Sequence, residues 1–161
     1  MPRALWPPSL RAGIGEVRYF VATTASGVVG LTGIYTLTDE AGDAWLGWYG
    51  VDERMRGRGY GRALLETTTA LARDAGYRTL RLWTTDHPNF AVASRLYEIC
   101  DFVPQAIEVD YLGRPVLIYS RALNGGSPSP FEGSIAKAMA GAGSRTAPTT
   151  SNERSTRRVR G

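Results

Sequence analysis

The chain has 161 residues, 43% hydrophobic and 10% aromatic, which suits one globular domain with a real core. Its net charge of +4 comes entirely from residues 124–161, so residues 1–123 are neutral and a nucleic-acid enzyme is disfavoured. A single cysteine, Cys100, excludes an internal disulfide framework and any multi-cysteine zinc site, and no run is apolar enough for a signal peptide or a membrane span. A cytoplasmic location, with neither metal nor membrane partner, is the expectation.

Residues 1–16, with Pro2, Pro7 and Pro8, show no periodicity and read as an irregular lead-in. The domain is expected over 17–123. "VRYFVAT" and "VVGLTGIYTL" are β-rich runs that predict a hairpin turning near Ser26-Gly27, and "WLGWYGV" (45–51) predicts a third neighbouring strand. From Gly61, apolar residues at Leu64, Leu65, Thr68, Leu71, Ala72 and Ala75 follow a helical period, stopped by Gly76. "TLRLWTT" (79–85) alternates as a strand. "FAVASRLYEIC" (90–100) reads as a second helix with Val92, Leu96 and Ile99 inward, and "QAIEVDY" with "RPVLIYSRAL" as a closing hairpin. After Leu123 the composition turns to Gly, Ser, Pro, Thr and Ala, so 124–161 is expected to be a disordered basic tail.

Between strand and first helix stands "RGRGYGR", residues 56–62. A helix start exposes unpaired N–H groups and partial positive charge, glycines let an anion approach them, and Arg56, Arg58 and Arg62 add charge at the same mouth. The loop suits a pyrophosphate. A triphosphate-binding loop would need Lys-Ser/Thr after Gly61, where Arg62-Ala63 stands. A dinucleotide fingerprint counted from Gly57 would want glycine or alanine at Arg62.

Arg56-Gly57-Arg58-Gly59-Tyr60-Gly61 matches the pattern Arg/Gln-x-x-Gly-x-Gly/Ala, and here the chain resembles the GNAT superfamily of acetyl-CoA-dependent N-acetyltransferases. "GVDERMRGRGYGRALLE" looks like that family's pyrophosphate-binding strand-loop-helix and "ASRLYEICDF" like its second motif, over about residues 17–122. The resemblance implies a mixed α/β fold: a mostly antiparallel twisted sheet with a central, splayed parallel strand pair, flanked by helices. It implies acetyl-CoA as co-substrate, with pantetheine contacts from the backbone of Tyr49, Gly50 and Val51. The amides of Gly57, Arg58, Gly59, Tyr60, Gly61 and Arg62 would hold the pyrophosphate beside Arg56. Tyr97 is placed like the family's tyrosine near the sulfur, either protonating the departing thiolate or only packing. Asn89 stands eight residues before Tyr97, where the family has its pantetheine-binding asparagine seven before; it either makes that contact or caps the helix. Asp101 occupies the motif's glycine position, tolerable because aspartate accepts a left-handed backbone.

No carboxylate or imidazole lies within "WLGWYGV", so the base is either His87, the only histidine, or a water chain. Cys100 is expected to be a buried packing thiol. Trp45, Trp48, Tyr49 and Trp83 are expected in the core, with one or two lining the acceptor side. Arg73, Arg78, Arg81 and Arg95 are expected on solvated faces. The family's usual strand and helices ahead of the hairpin are missing from the sequence pattern, so the domain is read as N-terminally shortened, with an open acceptor face or completion by a second copy in a homodimer. The function expected is acetyl transfer to a primary amine of a small molecule or peptide, by direct attack in a ternary complex. The alternative is a non-catalytic acyl-CoA-binding module or a truncated remnant.

Overall fold

Strand β1 (Ile14–Thr24) forms a hairpin with β2 (Gly27–Leu37), as the β-rich runs require; the first strand begins three residues before Val17. The structure, a computed structural model, describes residues 13–109 and 113–131. Most of the expected lead-in and residues 132–161 of the expected tail lie outside the described residues.

The chain continues through β3 (Asp43–Leu46), β4 (Gly50–Val51), helix α1 (Tyr60–Asp74), β5 (Thr79–Thr85), helix α2 (Ala91–Ile99), β6 (Val103–Val109) and β7 (Pro115–Ala122). The sheet order is β1-β2-β3-β5-β7-β6, with β4 paired to β2. Among the described residues only β3 and β5 run parallel, through Asp43–Trp45 against Thr79–Arg81; every other pair there is antiparallel. The expected mixed sheet with one parallel pair is therefore present.

Cross-strand partners share a sheet face, and the two faces differ. Ile34, Ala44, Leu46, Leu80 and Leu82 pack against Leu65, Ala72, Tyr97, Cys100 and Phe102, so both helices cover that side. Each buried leucine there contributes about 1.5–3 kcal/mol. The threonines in α1 are satisfied locally: the Thr68 and Thr69 hydroxyls donate to the carbonyls of Leu64 and Leu65, and Thr68 Oγ1 also lies 2.7 Å from Thr32 Oγ1 on β2. The other face holds Tyr35, Leu37, Trp45 and Ile118, packed against Trp83, Ala106 and Phe131.

The second helix presents a different stripe from the one expected. Val92 is 84% exposed and Ile99 53%, whereas Ala93, Leu96, Tyr97 and Cys100 face the core. Both sets have helical spacing; the second wins because it buries the largest ring of the helix against Phe102 and Tyr119, each 6.2 Å from Tyr97 between centroids. The helix ends in a Schellman turn, with Phe102 N–H donating to Tyr97 O and Asp101 N–H to Glu98 O. Asp101 sits there at φ 61, doing what glycine does in the related motif.

Arg81 departs from expectation as well. It is 2% exposed, with Nη2 2.7 Å from Asp43 Oδ2 and Nη1 donating to Ser120 Oγ at 2.8 Å. Its place on a central strand beside Trp45 and Ser120 leaves no route to solvent, so acidic partners neutralise it instead. Nη2 also donates to the carbonyls of Ser129 and Pro130, and Phe131 packs edge-on against Trp45. Residues 129–131 are thus docked on the sheet rather than part of a disordered tail. Arg73, Arg78 and Arg95 are exposed, as expected.

Candidate active site

The stretch expected as one strand over 45–51 is broken. Leu46 pairs with Ile34 and Gly50 with Leu31, so four residue steps on this side face three on β2, leaving one extra residue in a β-bulge between β3 and β4. The bulge turns β4 away from β5. Beyond Arg81, β5 pairs only with β7, and β4 pairs only with β2. Among the described residues, two strand edges therefore face each other without bonding, and a V-shaped gap opens from the Trp45–Arg81 apex.

A cleft of about 330 Å³ occupies this gap. Leu46, Leu82, Thr84, Tyr49 and Tyr97 line it on the helix side. Val17, Tyr19, Tyr35, Trp83 and Thr85 come from the opposite face, with Ile14, Trp48 and Phe90 around them. No charged side chain lines it among the described residues. Trp48 is 49% exposed, so of the expected core aromatics Trp45 alone is deeply buried, while Trp48, Tyr49 and Trp83 border the cleft. Tyr19 reaches the cleft from β1 because Gly33 and Gly47 carry no Cβ: one on Gly33 would overlap the Tyr19 ring, and one on Gly47 would lie 3.2 Å from Tyr19 Cε1. Sequence reading missed Tyr19, Tyr35 and Phe90, since three strands must pair before they meet.

At the mouth, a short 3₁₀ turn (Glu53–Met55) capped by Asp52 leads into the glycine-arginine loop. Gly57 and Gly59 sit at φ +73 and +86, conformations that favour glycine, and a Cβ on either would enter open space. Among the described residues no protein acceptor takes up the N–H groups of Gly57 to Arg62, which cluster at the positive end of α1. Arg54 is tied to Asp52 at 3.1 Å, and Arg56 Nε donates to the Val51 carbonyl at 3.2 Å, closing the loop on its own strand. Arg58 and Arg62 are exposed. These donors fit a diphosphate, and the cleft-lining residues Gly47 to Tyr49 stand just ahead of them in the chain.

Tyr49 joins loop to cleft. Its hydroxyl donates to the Gly61 carbonyl at 2.7 Å, and its ring lies 6.3 Å from that of Tyr97. Burial, and then the neighbouring Tyr97 and Cys100, push the Tyr49 phenol up. Tyr97 is 7% exposed, yet it borders the cleft, and burial pushes its phenol up to about 12. It therefore stays protonated through the neutral and moderately alkaline range.

Asn89 is exposed on the 3₁₀ turn Pro88–Phe90, and Phe90, seven residues before Tyr97, is the one that lines the cleft. Asn89 does not cap α2: the N-cap is Phe90, with no side-chain cap bond. His87 accepts the Asn89 N–H on Nδ1 at 3.2 Å and borders a separate open groove with Asp86, Arg95 and Glu98. Its ring does not line the cleft. Cys100 is fully buried among core residues, as expected. No group of three or more metal-ligating side chains occurs among the described residues, and no helix among them is long and apolar enough to cross a membrane.

Comparison with known proteins agrees with this architecture. A GNAT-family protein from Desulfovibrio desulfuricans shares 24% identity and superposes with a TM-score of 0.61, over 66% of this chain and 69% of that one. The ribosomal-protein-S18-alanine N-acetyltransferase of Escherichia coli shares 25% identity at a TM-score of 0.57, over 73% of this chain and 76% of its own. A Bacillus subtilis acetyltransferase solved in complex with CoA shares 18% identity at a TM-score of 0.60, over 66% and 77%. No curated protein sequence matches significantly. The profile of the Acetyltransferase (GNAT) family matches residues 4–102, and that span takes in the hairpin, the bulged strand, the glycine-arginine loop and the Tyr97 helix: the chain belongs to this family of acyltransferases, which move an acyl group from acyl-CoA to an acceptor.

Proposed function

We propose that the protein acetylates a primary amine with acetyl-CoA, by direct attack while both substrates are bound. The observation that carries this is the unpaired gap between β4 and β5, opening at the α1 turn where the free amides of residues 57–62 gather. Those amides, with Arg58 and Arg62, would hold the pyrophosphate, while Arg56 keeps the loop closed on Val51. The free edge of Tyr49, Gly50 and Val51 would receive the pantetheine as a strand does, and an N–H there would polarise the thioester carbonyl. Asn89, beside the cleft mouth, is assigned an outer contact to the same arm.

The acceptor nitrogen bonds to the acyl carbon, the carbon–sulfur bond breaks, and the amine's proton passes to water. Tyr97 can give its phenolic proton to the departing sulfur and be reprotonated from solvent. A thiol pKa of about 8.5 makes the thiolate a tolerable leaving group unaided. Tyr97→Phe is therefore expected to lower kcat by roughly 100-fold or less, at or below the weak end of general-acid effects because the thiolate can leave unaided. The shape of the pH–rate profile from pH 6 to 10 should stay unchanged, because the phenol is protonated throughout; an unaltered kcat would remove Tyr97 from the reaction. The proposal as a whole is tested by following CoA release and product mass with acetyl-CoA and an amine panel. Acetyl-CoA binding with no turnover on any amine would favour the non-catalytic module.

A further inference from the structure

The chemistry of the cleft wall points to an acceptor class, an inference that rests on the acetyltransferase reading. Loop amides and arginines at the α1 side favour the anionic end of the cofactor, so the acceptor must come from the opposite face of the sheet. That face offers rings rather than charges among the described residues. Tyr19, Trp48 and Phe90 are each close to half exposed around the cleft, with Tyr35 and Trp83 beneath them. Half-exposed aromatics gathered on one concavity are unusual on a surface unless something covers them.

We infer that the acceptor is a small primary amine on an aromatic or hydrocarbon skeleton with no second charge, its skeleton lying against Tyr19, Trp48 and Phe90. Three features carry this. Among the described residues, a carboxylate on the acceptor would find no cation lining the cleft and a second ammonium no carboxylate, so either is desolvated without repayment there. An apolar wall also disfavours the ammonium form, which lowers the amine's pKa and supplies neutral nucleophile without a side-chain base. Finally, about 330 Å³ lies at the small end of ligand clefts and must also take the thioester end of the cofactor, which leaves room for a small skeleton only.

The test compares kcat/KM for phenethylamine, phenylalaninamide, phenylalanine, spermidine and an alanine-first peptide amide, all with acetyl-CoA and the full chain. Phenethylamine is expected to exceed phenylalanine and spermidine by about 100-fold or more, with phenylalaninamide close to phenethylamine because it has the bulk without the carboxylate. Trp48→Ala should raise KM for phenethylamine by roughly 10-fold and leave acetyl-CoA affinity unchanged. Equal or faster turnover of phenylalanine, spermidine or the peptide overturns the inference, as does turnover of any of them with none of phenethylamine, whereas acetyl-CoA binding with no turnover of any amine overturns the acetyltransferase reading. Failure to bind acetyl-CoA at all overturns that reading too.

Discussion

Gly59→Asp is expected to weaken acetyl-CoA binding by about 100-fold or more, which is about 2.8 kcal/mol, while the protein stays folded. Gly59 stands at φ +86 immediately before α1, and a side chain there projects into open space at the amide cluster. Most residues would strain this conformation by about 1–2 kcal/mol, but aspartate and asparagine tolerate it better. Asp101, at φ 61 in the same molecule, is an example. The effect of Gly59→Asp is therefore chiefly electrostatic: a carboxylate is set where the diphosphate should lie, against the positive end of a helix that would otherwise attract it. Gly59→Asn supplies the control, with equal bulk and no charge, and should lose only about 10-fold, or about 1.4 kcal/mol. If calorimetry finds the two variants equally weakened, bulk rather than charge governs the site. If neither is weakened, the turn is only a helix start.

Arg81→Ala is expected to cost about 3–5 kcal/mol of stability, the usual penalty for removing one member of a buried ion pair. Asp43, 6% exposed, would be left without its 2.7 Å partner, and the carbonyls of Ser129 and Pro130 would lose their donor. The position matters beyond stability. Arg81 pairs with Trp45 at the end of the parallel segment, where the gap begins, so its network pins the apex from which the two strands diverge. Replacing both charges, with Arg81→Met and Asp43→Leu, should recover only part of the loss, because Glu40 and the carbonyls of Ser129 and Pro130 still lack the arginine. Urea denaturation of the wild type, the single and the double variant measures this. A single variant within about 1 kcal/mol of wild type would mean that the arginine is not held as described.

Much of this architecture was readable from local pattern. The hairpin of β1 and β2, the α1 period and the closing hairpin rest on alternation or helical spacing within one segment, and the glycine-arginine pattern between a strand and a helix marked the loop at 56–62. The features that escaped depend on partners far along the chain. "WLGWYGV" reads as an unbroken strand, because a bulge changes pairing with β2 and leaves the composition of β4 untouched. In α2 two apolar stripes compete, and only the packing of Tyr97 against Phe102 and Tyr119 decides between them. Arg81 looked like surface charge until Asp43, from another strand, was brought beside it. The acceptor-side rings were least legible of all: Tyr19 reaches the gap across Gly33 on β2 and Gly47 in the bulge between β3 and β4.

The central claim is that the amides opening α1 grip a diphosphate and so direct a thioester into the gap between β4 and β5. Titration calorimetry with CoA and with pantetheine, which shares the thiol arm but lacks the diphosphate and nucleotide, tests it most directly. CoA is expected to bind at least about 100-fold more tightly than pantetheine, a difference of about 2.8 kcal/mol that shrinks in Gly59→Asp. Equal affinities for the two, or a CoA affinity indifferent to the charge at position 59, would contradict it.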